Sequence, residues 1–161
     1  MTAPAVTSGS PPYFQVLTTD SGWKFGKNLT AGSPNIRPGH VVELMVGGAA
    51  VRLCPQSGSP FGQAYGGREL VSPSPTTEVF TQGDYLSVAQ GSFMELISAF
   101  FWATGIIPTN LQTNAPIYTA NNGLLTLTAG GTQVGRFIRQ KNITQVGGQV
   151  AIALCQMHFV L

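Results

Sequence analysis

His40, Glu43 and Cys54 are the side chains whose types could do chemistry, since a fold could bring His40 near Glu43 or Cys54 as a base beside a carboxylate or a thiol. Such chemistry needs convergent groups, and the rest of the chain adds few. The six acids, Asp20, Glu43, Glu69, Glu78, Asp84 and Glu95, are scattered singly, so no carboxylate pair is spaced for general acid–base work. His40 and His158 lie far apart and read as surface or partly buried histidines. Cys54 and Cys155 belong to no Cys-x-x-Cys or histidine spacing, which argues against a structural zinc centre and reads more readily as two buried thiols than as a disulfide. The pairs Gly47-Gly48, Gly66-Gly67, Gly130-Gly131 and Gly147-Gly148 lead into neither a Gly-Lys-Ser/Thr nor a helical pattern, so they are turn signals rather than phosphate loops. The expectation is a protein that is not an enzyme, with no catalytic residue, no metal and no cofactor.

The elements that would position these residues are strands. Residues 1–12, rich in Thr, Ser, Ala and Pro, read as a flexible N-terminal arm. Residues 13–36 form an extension packing on the domain or on a neighbour, with a strand at Tyr13 to Thr18 and a loop holding Trp23 and Phe25. Residues 37–161 make one β-rich domain. There, strands are expected around Val41 to Val46, Ala50 to Leu53 and Gln63 to Tyr65. Two more flank turns at Gly83-Asp84 and Gln90-Gly91. The stretch Pro116 to Ile138 reads as a three-stranded meander turned by Asn121-Asn122-Gly123 and Gly130-Gly131, and a last strand runs from Gly147 to Cys155. Phe93 to Ala103 fits both periods. The strand spacing, which sets Phe93, Glu95, Ile97 and Ala99 on one face, is preferred for Ser92 to Ile97, with an irregular apolar loop after it. Short strands punctuated by 20 Gly and 11 Pro give an all-β class, a small barrel or sandwich with at most one short helix.

Only 9% of the residues are charged, against roughly 25% in an average soluble protein, so much of the surface is uncharged and suited to being covered. The net charge is +2, and Arg136, Arg139 and Lys141 are the nearest thing to a basic cluster, too little for a nucleic-acid face. Phe93 to Pro108 is the longest apolar stretch, interrupted by Glu95, Ser98, Thr104 and Gly105 and shorter than the roughly 20 residues of a membrane span. No partner nucleic acid or membrane is expected. The N-terminus lacks the basic and apolar regions of a secretory signal, which points to folding in the cytoplasm. Phe100, Phe101 and Trp102 cannot all point inward from an alternating strand, which makes them candidates for a subunit interface.

The segments GHVVEL, PFGQAYG, GDYLSVAQGSF, APIYTANNGLLTL, GTQVGRFI and GQVAIAL, spanning about Arg37 to Leu154, resemble the capsid decoration, or cement, proteins of tailed bacteriophages. The resemblance implies a β-barrel or β-tulip-like domain that forms a homotrimer on the outer surface of the virion head and staples neighbouring major capsid proteins. The chain would be made in the host cytoplasm and meet the capsid through Pro11, Pro12, Tyr13, Phe14 and Arg37. It departs from the family pattern before Arg37, at Val71 to Glu78 and at Ala99 to Asn114. Alternatives from other classes are a tail or baseplate structural protein, and a glycan-binding β-sandwich module using Trp23 or Trp102 as a sugar platform.

Overall fold

One strand organises the chain. In the computed structural model, which describes residues 11–19, 24–65, 78–107, 114–145 and 148–159, β6 (Tyr85–Ser98) runs unbroken for 14 residues. Its first half pairs antiparallel with β2 (Lys24–Ala31) on one edge and β5 (Gly62–Tyr65) on the other. β3 (Val41–Leu44) pairs with β5 and with β4 (Ala50–Leu53), and β4 meets β2 in parallel, which closes a five-stranded barrel in the order β2-β4-β3-β5-β6.

The second half of β6 belongs to another sheet. There β1 (Phe14–Thr19) continues along the edge that β2 occupies, and β10 (Gly148–Phe159) continues along the edge of β5. Outward from β10 lie β9 (Gln133–Gln145), β7 (Ala115–Thr119) and β8 (Leu125–Thr126). The helical pieces among the described residues are single 3-10 turns at Ala99–Phe101 and Asn121–Gly123. The class is therefore all-β, and the barrel is the form it takes.

Strand alternation builds two main cores. Leu86 and Val88 of β6 join Leu29, Ala31, Val42, Val51 and Ala64 inside the barrel, with Ile36 and Phe80 bridged to each other beside them. Ala89, Phe93 and Ile97, on the opposite face of β6, pack with Val41 and Tyr65 of the barrel wall and with Phe14, Val16, Phe137, Ala153, Cys155 and Met157 of the sheet. Barrel-wall strands are thus covered on both sides, and every residue of β5 is buried. A smaller cluster of Tyr13, Leu96 and Ile152 lies on the outer face of the sheet.

The structure departs from the sequence expectations in three places. Lys24–Ala31 is a barrel strand rather than a loop, so residues 13–36 supply β1 and β2, while Trp23 lies outside the described residues, as do residues 1–10 of the expected arm. Gln90-Gly91 is no turn: Lys24 pairs with Gln90 and Phe159 with Gly91, so strands on either edge carry β6 straight through. β7, β8 and β9 do not follow one another as a meander, because β7 is central, with β8 on one edge and β9 on the other.

Gly91 has φ +78°, a left-handed conformation inside a strand, at the residue where β6 leaves the barrel partners for the sheet partners. A side chain there strains the backbone. Gly91→Ala is expected to destabilise the fold by about 1–2 kcal/mol in denaturant unfolding. An unchanged midpoint would show that the junction needs no left-handed residue.

Candidate functional site

Beyond Ser98 the chain turns at Ala99–Phe101, with the Trp102 N–H donating to the Ala99 carbonyl at 3.1 Å. A 3-10 turn rotates successive side chains by about 120°, which removes the alternation that would have thrown one aromatic outward. Phe101 and Trp102 are consequently buried in their own chain, and only Phe100 stays partly exposed. Of the three interface candidates, Phe101 and Trp102 are thus covered by their own chain, and Phe100 is the one left to meet anything outside it. Trp102 packs edge-on against Phe137 at 6.3 Å between centroids and bridges to Leu125.

Phe101 reaches the turn Arg37-Pro38-Gly39-His40. Pro38 sets the second position, Gly39 takes φ +109°, and the His40 N–H donates to the Arg37 carbonyl at 3.0 Å. A Cβ on Gly39 would lie 2.8 Å from Phe101 Cζ, so this glycine also makes room for the ring. His40 stands edge-on to Phe101 at 5.2 Å, and its Nδ1 accepts the Arg37 N–H at 2.9 Å. Burial, then the Arg37 charge, pushes the imidazole pKa down to about 4, which holds it neutral. The Arg37 guanidinium lies 5.4 Å from the centroid of Phe100.

The N-terminal candidates meet the same end of β6. The Ser98 hydroxyl donates to the Pro11 carbonyl at 2.8 Å and accepts the Tyr13 N–H at 3.0 Å, while the Ser98 N–H donates to the Tyr13 carbonyl at 2.9 Å. Tyr13 and Phe14 are buried by their own chain, so neither side chain is free as an anchor in this fold. The sequence candidates left at the surface are Pro11, Pro12, Arg37 and Phe100, each partly exposed.

No nucleophilic site is assembled from His40, Glu43 and Cys54. Glu43 is engaged by Arg52 at 2.7 Å and by the Ser59 N–H at 2.9 Å. Cys54 is pushed up to about 12 by burial and by Glu43, against a smaller opposing effect of Arg52, and Cys155 is raised by burial and by Glu95. Both thiols are free, buried and protonated, hence poor nucleophiles. Ser92 Oγ lies 2.7 Å from Nδ1 of His158 across the β6–β10 pairing, and among the described residues no carboxylate orients that ring.

Glu95 is the polar feature that residue spacing missed. It occupies the inner face of β6 between Phe93 and Ile97, fully buried, opposite Cys155. Gln63 of β5, also fully buried, donates from Nε2 to the Gly39 carbonyl at 3.0 Å and to Glu95 Oε2 at 3.4 Å. Among the described residues, Gln63 Oε1, Glu95 Oε1 and Trp102 Nε1 have no hydrogen-bond partner. Burial raises the Glu95 pKa to about 8, against a smaller opposing effect of the Gln63 hydrogen bond, so the carboxyl is mostly neutral at pH 7. Its proton gives the pair one more donor. The pair links the barrel wall to the sheet, and its sequence signal was an acid set among apolar residues in SFMELI.

Comparison with known proteins finds no family model and no curated protein that matches the chain.

Because the folded value of Glu95 exceeds its ordinary 4.5, the neutral carboxyl's contribution to stability is fully present below about pH 4.5 and lost as pH rises through about 8. His40, its pKa depressed to about 4, is neutral in both folded and unfolded states well above its ordinary 6.5 and adds little in that range. Between about pH 6.5 and 8 the fold should therefore lose about 2 kcal/mol through Glu95. Glu95→Gln should flatten this slope in chemical unfolding; an equally steep slope in the variant would place the titration elsewhere.

Proposed function

We propose that this chain is a capsid decoration protein of a tailed-phage head. In this reading it is a non-enzymatic homotrimer on the outer surface of the virion that holds neighbouring major capsid proteins together. The observation that carries it is the placement of the motifs behind the resemblance: they fall on the strands that build the fold. GHVVEL contains β3, PFGQAYG contains β5, and GDYLSVAQGSF spans most of β6 with its Gly91 junction. APIYTANNGLLTL covers β7, the Asn121–Gly123 turn and β8, while GTQVGRFI and GQVAIAL open β9 and β10.

The physical character of the surface supports the same role. A cement protein holds by many weak contacts repeated by symmetry, so avidity replaces single-site affinity and the contacts need little charge. Pro11, Pro12, Arg37 and Phe100 are candidate contacts at the β6 end. The glycan-binding reading loses one of its two platforms, because Trp102 is buried.

Sedimentation with expanded shells lacking the protein tests the proposal. Saturable binding at a fixed, symmetry-compatible ratio to the major capsid protein is the expected result, weakened about tenfold by combined Arg37→Ala and Phe100→Ala. Competent shells that bind nothing would overturn the reading, and recovery with tails would favour the tail protein.

A further inference from the structure

Three stretches of chain far apart in sequence meet around one open pocket of about 370 Å³. They are the loop after β4 at Gln56, the loop after β6 at Ala103, and the hairpin of β7 and β8 from Ala120 to Thr128. Gln56, Ala103, Asn121, Asn122 and Thr128 are exposed, so the pocket opens to solvent, while Ala120 is buried at its floor.

Hydrogen bonds fix the walls. The Gln56 N–H donates to Asn121 Oδ1 at 3.0 Å, and the Gln56 carbonyl accepts from the Thr119 hydroxyl at 3.1 Å. That hydroxyl also accepts the Thr132 N–H at 2.9 Å. The Gly123 N–H donates to the Cys54 carbonyl at 2.8 Å, and the Ala103 N–H donates to the Leu125 carbonyl at 2.8 Å, so both loops are tied to the hairpin. Within the hairpin the Thr128 N–H donates to Thr126 Oγ1 at 3.1 Å. Asn122 takes φ 62° and ψ 32°, a left-handed conformation that asparagine tolerates better than most residues. A Cβ on Gly130 would lie 2.5 Å from Gln56 Nε2, so the absent side chain leaves the room that the Gln56 amide occupies. The pocket is therefore built without a ligand, which lowers the ordering cost of filling it.

The lining selects the ligand. Gln56, Asn121, Asn122, Thr126 and Thr128 bring amides and hydroxyls, which both donate and accept, and none of the described lining residues is ionisable. Hydroxyl groups match such a wall, whereas a charged ligand would give up hydration for no counter-charge. Ala103, Ala120 and Leu124 add apolar surface of the kind that the C–H face of a sugar ring covers. The volume lies at the small end of the roughly 300–1,000 Å³ of small-molecule sites, which suits one or two rings.

We infer that this pocket binds the terminal one or two residues of a neutral glycan. The amides and hydroxyls of the wall hold the ring hydroxyls, the apolar residues carry the ring face, and the open mouth leaves the rest of the glycan in solvent. The site uses no aromatic platform, neither Trp23 nor Trp102, and does not require the capsid reading.

The test titrates the full chain, labelled with nitrogen-15, with glucose, galactose, mannose and N-acetylglucosamine, with their methyl glycosides, and with maltose and lactose. Each is taken to about 50 mM, since so small a neutral ligand is expected to bind with a Kd of about 1 mM. At least one should shift, saturably, the side-chain amide signals of Gln56, Asn121 and Asn122 and the backbone signals of Thr126 and Thr128. Gln56→Ala/Asn122→Gly keeps the backbone bonds of Gln56 and the left-handed turn, and should weaken that binding about tenfold with an unchanged unfolding midpoint. Ala103→Leu, at an exposed position, narrows the pocket and should weaken it as well. The inference is wrong if no sugar binds, if the shifts fall elsewhere, or if both variants bind like the wild type. It is also wrong if methyl glucuronide binds more tightly than methyl glucoside, because the site would then select charge. A free sugar that binds while its methyl glycoside does not would contradict a glycan end. Equal affinity for N-acetylglutamine amide at the same residues would assign the pocket to a side-chain amide of a partner protein instead.

Discussion

The pairing of β6 with four other strands is the constraint on which the structure depends. Its first half needs β2 and β5 and its second half needs β1 and β10, so backbone hydrogen bonds of one strand serve both the closed barrel and the open sheet. The faces of the strand follow. One face stays against the second core along its length, through Ala89, Phe93 and Ile97; the other passes from the barrel interior at Leu86 and Val88 to the outer cluster at Leu96. Gly91 is where the partners change.

Few charges enter this arrangement, and those near its seam are kept neutral or paired. His40 is buried against Phe101 beside the Arg37 turn, Glu95 is held with Gln63 between barrel and sheet, and Glu43 is tied to Arg52. Burying an ionised carboxylate costs far more than burying a carboxylic acid, so the Glu95 proton belongs to the native structure. Among the described residues, Arg136, Arg139 and Lys141 of β9 are exposed, as are Arg52 and Asp84, while Arg37 is partly exposed.

Much of this was legible in the sequence where local signals act alone. β4 appears at its expected residues, β3 and β5 nearly so, and the buried free thiols agree with their Leu-flanked settings. β2 was not legible, because KFGKNLTA carries two lysines, an asparagine and a glycine, and it becomes a strand through the barrel edges it pairs with. Turn signals foretold the reversals around β7 and β8 but not which strands would be neighbours, a choice made by the non-local pairing of β9 with β7. At Gln90-Gly91 the same kind of signal marked a change of partners instead of a reversal.

The candidate site was legible in identity and not in exposure. Arg37 and Phe100 come together at the surface as a pair the residue types allow, whereas Phe101, Trp102, Tyr13 and Phe14 vanish into the core through a 3-10 turn and a strand end. Glu95 was visible as an acid on an apolar strand face, but its partner Gln63 lies 32 residues away and only the fold brings them together. Native-state hydrogen exchange along β6 tests most directly whether barrel and sheet are one body. A single coupled body predicts that amides from Tyr85 to Gln90 and from Gly91 to Ser98 open with the same free energy and respond alike to denaturant. A sheet half that opens far more easily than the barrel half would contradict it.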